Sequence, residues 1–307
     1  MSILDSSTLI KELRTEKGLT QAALSNGICS QRELSRIEKG DTVPNLNTFS
    51  LLMQRLGENP SKYYKYVVSA AEKAELDKRY ELESLYQNLK FAETRNRLNE
   101  INEQEYFKSG NGKQFVLWLE SGLACNIDKD FSKGLEYAIE GIKATKPDFN
   151  EENISAYILT QDEINLINSL AVCYYRNNNS KSSIKVLSDL ALNLEKNYFA
   201  ESERIKTHIK ILYNYTKALY DFKNFDECID YCNRAISISN KNLEARYLPL
   251  FIGYKGFSLY NQGKKEESKK YINQLLVILD AQERYYELEQ LRIYCTDELK
   301  INIDSLP

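Results

Sequence analysis

The side chains best suited to recognition near the start of this chain are Gln21, Ser30, Gln31, Arg32, Ser35 and Arg36. Arg and Gln present planar donor and acceptor groups that match base edges, and Arg, Gln and Ser also hold phosphate oxygens. They act together only if short helices hold them on one side at a fixed angle. The stretch Gly18–Pro44, GLTQAALSNGICSQRELSRIEKGDTVP, has the punctuation for this. Thr20 is an N-cap, with Gln21 exposed at the first helical position, and Gly27 ends that helix. Ser30 caps a second helix with Glu33 three residues on, a capping box, and Gly40 and Pro44 close it. Ala23, Leu24, Ile28, Leu34 and Ile37 form the apolar side. Two such helices, the second studded with Arg and Gln, meet the needs of a major-groove reader. A four- or five-helix module that binds protein explains the core positions but not the exposed polar set.

The same residues resemble the helix-turn-helix of the phage-repressor (XRE) family over roughly the first 65 positions. GLTQ, Gly27-Ile28-Cys29-Ser30, Leu34-Ser35-Arg36-Ile37-Glu38, Gly40 and Pro44 fall at that family's places. The resemblance implies binding to double-stranded promoter DNA. Arg32 and Gln31 are expected at base edges, Arg36 there or at phosphate, Gln21 and Ser30 at phosphates, and Ser35 on the same face. In the family an Arg and a Glu join the first helix to the third; Arg14 and Glu38 stand at those places and are read as structural.

A second recognition set lies further on. Asn165, Asn168, Tyr175 and Arg176 share one helical side, as do Tyr213, Asn214, Lys217 and Tyr220, and then Tyr254, Phe257 and Tyr260. An asparagine amide carries a donor and an acceptor, so it can pair with the N–H and C=O of one residue of an extended peptide. Aromatic pockets between such amides would read side chains. The same asparagines could equally tie neighbouring helices together.

Helical periodicity dictates what must position these residues. Thr8–Lys17 reads as a first helix with Leu9, Ile10 and Leu13 inward. Asn45 caps a fourth, with Leu46, Phe49, Leu52, Met53 and Leu56 at helical spacing, and Gly57 stops it. Asn59-Pro60 opens another, faced by Tyr63, Tyr64, Tyr66, Val67 and Val68. Residues 1–66 form one domain, and 67–75, rich in Ala, Glu and Lys, a helical linker. From 76 to 307 no strand pattern occurs, and apolar residues recur at helical spacing.

Within that region Trp118, Gly122, Gly134, Gly141 and Pro147 resemble the marks of a tetratricopeptide repeat. A second copy runs through Ile167, Leu170, Ala171, Tyr174, Ser183, Leu187 and Leu190. A third spans Ala218–Ile236 and a fourth Gly256–Leu276. The small residue where paired helices cross falls at Gly122, Ala171, Thr216 and Gly256. One pair cannot bury its own apolar face, so pairs stack. Leu82, Leu85, Leu89, Leu98 and Ile101 suggest an earlier pair, and Tyr285–Leu299 a closing helix. The fold class is therefore all-α: a helix-turn-helix domain followed by a right-handed superhelix of degenerate tetratricopeptide repeats with a concave inner face.

This combination resembles the peptide-responsive regulators of Gram-positive bacteria, the RRNPP group. Ile-Asn-Ser-Leu-Ala at 167–171 and Tyr-Asn-Tyr-Thr-Lys-Ala-Leu-Tyr at 213–220 are similar to its PlcR branch, whose groove asparagines stand where Asn168 and Asn214 stand. The resemblance implies a cytoplasmic, homodimeric, quorum-sensing transcription regulator. A short linear signalling peptide would bind in the groove and control promoter binding. Two alternatives stay open: a repeat scaffold holding a protein such as a response regulator, and a peptide-independent, phage-type repressor.

Bulk properties narrow the remaining classes. The 307 residues are 42% hydrophobic and 28% charged, with a formal net charge of −3. Residues 1–65 carry nine Lys/Arg against seven Asp/Glu, and the remainder 32 against 37. That asymmetry fits a small nucleic-acid module on a slightly acidic body. No apolar run reaches membrane-spanning length, and Met1–Arg14 carries no secretory pattern. The six cysteines, Cys29, Cys125, Cys173, Cys228, Cys232 and Cys295, are read as small buried residues. With one histidine, His208, read as lying on a helix surface, no metal site is expected. No phosphate loop, nucleophile elbow or metalloprotease motif occurs, so neither catalysis nor a cofactor is expected.

Overall fold

The computed structural model describes residues 6–60, 63, 70–101, 104–108, 110–196 and 202–297. They form α-helices and, among the described residues, no strand. The first four are α1 (Ser6–Glu16), α2 (Gln21–Ser25), α3 (Gln31–Glu38) and α4 (Leu46–Arg55). Next come α5 (Ala70–Gln87), α6 (Phe91–Ile101), α7 (Glu105–Lys108), α8 (Gly110–Leu123) and α9 (Phe131–Lys143). The pairs α10 (Gln161–Arg176) and α11 (Ser180–Lys196), then α12 (Ser202–Asp221) and α13 (Phe225–Lys241), follow. The chain ends its described part with α14 (Leu248–Asn261), α15 (Lys265–Ala281) and α16 (Tyr285–Asp297). These residues divide into two compact units, Met1–Arg204 and Ile205–Pro307.

The first four helices close around Ile10, Leu24, Leu34, Ile37, Phe49, Leu52, Met53 and Leu56, with Leu9, Leu13, Ile28 and Tyr63 packed against them. The caps form as their residue types dictate. Thr20 accepts from the Ala23 N–H, Ser30 from Glu33 and Asn45 from Thr48. The helix expected after Asn59-Pro60, with Tyr64, Tyr66, Val67 and Val68, lies outside the described residues. From Ala70 onward the expected linker is the opening of α5, which runs without a break to Gln87.

The repeat pairs share a contact that explains their residue pattern. In three of them a side chain twelve positions after the small crossing residue donates to that residue's carbonyl. Ser183 Oγ reaches the Ala171 oxygen at 3.0 Å, Cys228 Sγ that of Thr216 at 3.4 Å, and Ser268 Oγ that of Gly256 at 2.8 Å. In the first pair the twelfth residue is Gly134, and the direction reverses: Ser121 Oγ donates to the Gly134 carbonyl at 2.8 Å. A Cβ on Gly134 would stand 2.7 Å from the Cys125 sulfur and 2.8 Å from that of Cys173. A Cβ on Gly122 would meet the Tyr86 hydroxyl at 1.8 Å. These glycines are set by how closely the neighbouring elements approach.

Three sequence expectations need correction. Cys125 and Cys173 are buried as expected but are also joined as a disulfide, linking the π-helical turn Ala124–Asp128 after α8 to α10, and Cys29 is only half-buried. Leu89 does not belong to a buried pair. It is 72% exposed at φ 61° in the turn between α5 and α6, while Leu82, Leu98 and Ile101 are buried. His208 is half-buried rather than exposed, with its Nε2 closed to solvent, and burial lowers its pKa to about 4.

That shift has a sign. Between pH 6.5 and 4 the unfolded chain protonates His208 and the folded chain does not, so stability held above pH 6.5 is lost on acidification. His208 is the chain's one histidine. His208→Leu should therefore reduce the stability lost between pH 7 and pH 5 by about 2 kcal/mol, measured by urea unfolding at both values.

Candidate functional site

The second helix of the helix-turn-helix, α3, presents Gln31, Arg32 and Arg36 to solvent, with Ser35 half-buried beside them. Its other side is locked down, as Leu34 and Ile37 are fully buried in the core of the first four helices. Glu38, at the end of α3, receives both ends of the Arg14 guanidinium, at 2.5 Å and 2.8 Å. Gln21 departs from its expected exposure. It is half-buried, and its amide donates to the same carboxylate at 2.9 Å. Burial pushes the Glu38 carboxyl up, but the Arg14 and Gln21 hydrogen bonds outweigh it and the net shift is downward. This carboxylate fixes the angle among α1, α2 and α3. Ser30 is exposed and caps α3.

The turn between α2 and α3 also touches the repeats. Gly27 has φ +72°, which suits glycine, and a Cβ there would stand 1.7 Å from the Thr145 carbonyl oxygen after α9. Beside it lies a buried polar junction. Arg55, at the end of α4, donates to the Leu24 and Asn26 carbonyls and to Glu163 Oε1 at 3.3 Å. The side chains of Arg55 and Glu163 are both fully buried. Glu163 also accepts from Thr145 Oγ1 at 2.8 Å and from the Thr160 N–H at 2.7 Å. Lys146 Nζ stands 3.8 Å away. Gln114 on α8 completes the network, donating to Thr145 Oγ1 at 2.7 Å. Burial lowers the Lys146 pKa to about 8; Glu163 resists the shift and Arg55 adds to it.

One residue earlier, Asp162 receives Arg79 of α5 at 2.6 Å on both oxygens. Two acids in the opening turn suit the positive end of a helix. A complete capping box between Thr160 and Glu163 holds that turn. Arg204 ties the same region further, donating to the Gln54 carbonyl at 3.0 Å and the Leu159 carbonyl at 2.9 Å. The first turn of α10 thus gathers α4, α5, α8 and the segment after α9. Sequence reading missed this junction. Its signals were an Arg inside the otherwise apolar face of α4 and the capping-box spacing Thr-Gln-Asp-Glu at 160–163.

The second candidate set falls in both units. In the first, Asn165, Asn168, Tyr175 and Arg176 line one side of α10, and Glu163 faces the opposite side at 100° per residue. Asn168 is only 8% exposed, and Asn165 accepts from Gln161 within its own helix. Arg176 is exposed. In the second unit the aromatic members form a ladder. Tyr213 stands 5.0 Å from Tyr247 and 6.3 Å from Tyr254, and Tyr254 stands 5.5 Å from Tyr220. Tyr220 meets Phe257 at 6.1 Å, and Phe257 meets Tyr294 of α16 at 5.1 Å. The Tyr220 and Tyr294 hydroxyls share a hydrogen bond. Asn214 is half-buried on the same helix, and Lys217 pairs with Asp221 at 2.7 Å. Tyr247 and Tyr294 were absent from the sequence-derived set. Among the described residues no His, Cys, Asp and Glu cluster could hold a metal ion, and no helix is long and apolar enough to cross a membrane.

Comparison with known proteins agrees with both halves of the chain. A family described as Helix-turn-helix matches residues 10–63, and one described as RNPP family C-terminal domain matches residues 79–272. No curated protein sequence matches. Among solved structures, Bacillus thuringiensis PlcR in complex with the peptide PapR7 and DNA has a TM-score of 0.61 at 22% identity, covering 94% of this chain and 98% of that one. The apo form of the competence regulator ComR from Streptococcus vestibularis has a TM-score of 0.54 at 16% identity, covering 96% and 98%. The Streptococcus dysgalactiae SHP pheromone receptor Rgg2 has 0.52 at 13%, covering 96% and 99%. These likenesses establish a shared fold, and the match over residues 79–272 establishes kinship: this chain belongs to the RNPP family.

Proposed function

We propose that this chain is a cytoplasmic transcription regulator that grips promoter DNA through α3 and is controlled by a short linear signalling peptide held by its repeats. The observation that carries the reading is the double duty of α10. Its first turn pins the helix-turn-helix through Glu163, and its opposite side carries Asn165, Asn168, Tyr175 and Arg176. A peptide engaging that side bears on the helix that positions the DNA-reading domain, with no separate relay needed. PlcR, of the same fold, was solved with a peptide and DNA together.

In this reading Arg32 and Gln31 meet base edges, and Arg36 meets a base edge or phosphate. Ser35 lies on the same face, and Ser30 and Gln21 lie toward phosphates near the helix starts. The residues proposed for peptide contact are Asn165, Asn168, Tyr175 and Arg176 in the first unit and, in the second, Tyr213, Asn214, Lys217, Tyr254 and Phe257, with asparagines suited to a peptide backbone and aromatics to its side chains. As a homodimer the protein would read half-sites roughly 34 Å, or a multiple, apart. Peptide control requires that the peptide prefer one arrangement of the protein over another.

Three measurements test this. Arg32→Ala should weaken specific operator binding by about 1–3 kcal/mol at fixed salt while leaving non-specific binding nearly unchanged; an unaltered operator affinity removes α3 as the reader. In calorimetric titration of synthetic candidate peptides, including the product of any small neighbouring reading frame, Asn214→Ala should bind more weakly than wild type. Equal binding removes that residue from the clamp. Glu163→Gln leaves Arg55 and Lys146 buried without their anion and should cost about 3–5 kcal/mol of stability, with faster amide exchange in α4. The double change Arg55→Met with Glu163→Leu should recover most of that loss, since an apolar pair of similar volume often replaces a buried ion pair without cost.

A further inference from the structure

Two rungs join α8 to α10. The first is polar: Gln114 on α8 and Glu163 on α10 both reach the Thr145 hydroxyl, at 2.7 Å and 2.8 Å. The second is the Cys125–Cys173 disulfide. Gln114 and Cys125 lie eleven residues apart and Glu163 and Cys173 ten, which along a helix puts the rungs roughly 15 Å apart. The second rung lies beside the surface. Ala124 and Cys125 are buried, but Asn126 is half-buried, and Ile127, Asp128 and Lys129 are exposed. Ala124–Asp128 is the π-helical turn, ended by Lys129 at φ 59°. Such turns are uncommon and recur at functional sites. Arg95 of α6 holds this one from outside, reaching Asp128 at 2.6 Å. Opening that single turn uncovers the Cys125 sulfur, while Cys173 stays within the last turns of α10.

The surroundings of the bond suit both of its states. Gly134 of α9 closes over it, so close that a Cβ there would meet both sulfurs. Two thiol sulfurs cannot stand as near as bonded ones, so breaking the bond displaces α8, α9 or α10. Ser121 Oγ stands 3.9 Å from Cys173 Sγ, a hydrogen-bond partner already in place for a thiol. We propose that Cys125 and Cys173 are a reversible oxidation site, closed by a hydroperoxide and opened by a dithiol, whose state sets how firmly the ends of α8 and α10 are held together. In closing, the O–O bond of the hydroperoxide breaks. Cys125 keeps one oxygen as a sulfenic acid, and the other leaves in an alcohol or in water. The Cys173 thiol then attacks the Cys125 sulfur and the remaining oxygen departs as water. In opening, a thiolate of the dithiol attacks Cys125 Sγ, and Cys173 leaves as a thiolate and takes a proton. The second thiol of the reductant then displaces Cys125, and the reductant departs as its own cyclic disulfide. In the cytoplasmic setting proposed above, on which this assignment rests, the disulfides that do form are usually catalytic or redox-sensing. The site shares no residue with those assigned above to DNA or to the peptide.

The test uses the full-length protein, with dithiothreitol and hydrogen peroxide as the probes. After each treatment the protein is quenched in acid, alkylated in denaturant and mapped by mass spectrometry, which reads Cys125 and Cys173 apart from the free Cys29, Cys228, Cys232 and Cys295. Dithiothreitol should open the bond in the folded protein, and peroxide should restore it once the dithiol is removed. In Cys173→Ser, peroxide should leave Cys125 as a sulfenic acid that dimedone traps. In Cys125→Ser, Cys173 should be trapped about tenfold less, being the more enclosed of the two. On reduction, amide exchange should rise about tenfold in the Ala124–Asp128 turn and the last turns of α10, and stay unchanged at Thr160–Glu163, where the polar rung persists. Thermal melts confirm that each variant folds, and the cycle and the exchange are read on the unaltered chain. The proposal is overturned if the bond opens only in urea, which makes it a permanent brace, or if peroxide does not restore it. It is also overturned if exchange is the same in both states. Operator binding is measured in parallel. A protein that cycles but binds no operator sinks the regulatory reading and still bears this site out, whereas operator binding with an inert bond sinks this site alone.

Discussion

The buried contact between Arg55 and Glu163 is the constraint on which the first unit depends. Neither side chain touches water, so each would be prohibitively placed without the other. Their geometry is over-determined. The guanidinium is anchored to the Leu24 and Asn26 carbonyls, in the turn that orients α3, and the carboxylate is fixed by the Thr160 N–H and the Thr145 hydroxyl. One ion pair therefore sets α3, through α2 and α4, against the opening of α10. Arg79 on Asp162, one residue away, does the same for α5. The compactness of Met1–Arg204, in which helix-turn-helix and early repeats form a single unit, follows from this junction.

The repeats are held by a different device. A small residue lets two helices approach, and a hydroxyl or thiol twelve positions later closes on its carbonyl. The spacing is conserved by geometry while the chemistry drifts among Ser, Cys and a reversed Ser121–Gly134 contact. This tolerance explains why the repeats are hard to recognise by residue identity yet regular in three dimensions. Only the distance along the chain and the smallness of one member matter to the crossing.

Much of this was legible in the sequence because it depends on local rules. Thr20, Ser30 and Asn45 cap the helices they precede, Arg14 meets Glu38, and Gly122, Ala171, Thr216 and Gly256 mark the repeat pairs. What was not legible depends on pairing across large separations. Arg55 and Glu163 lie 108 residues apart, and Cys125 and Cys173 lie 48 apart with no motif spacing. Helical periodicity assigned Leu89 to an apolar face, but a left-handed turn placed it in solvent. His208, flanked by Lys206 and Lys210, looked exposed because charged neighbours on a helix say nothing of the side that packs. The aromatic set was found in part: helix phase picked out Tyr213, Tyr254 and Phe257, whereas Tyr247 sits just ahead of α14 and Tyr294 on the closing helix.

Magnitudes decide how a signal can travel through such a body. Separating a buried ion pair costs about 3–5 kcal/mol. Coupling between two ligand sites is typically about 1–3 kcal/mol. On the peptide site proposed above, a ligand acting through α10 would thus have too little free energy to pull Glu163 off Arg55. A change driven from that proposed site would keep the junction closed and carry α3, α4 and the start of α10 together. The junction then acts as a rigid grip, and the flexible step lies elsewhere in the repeats.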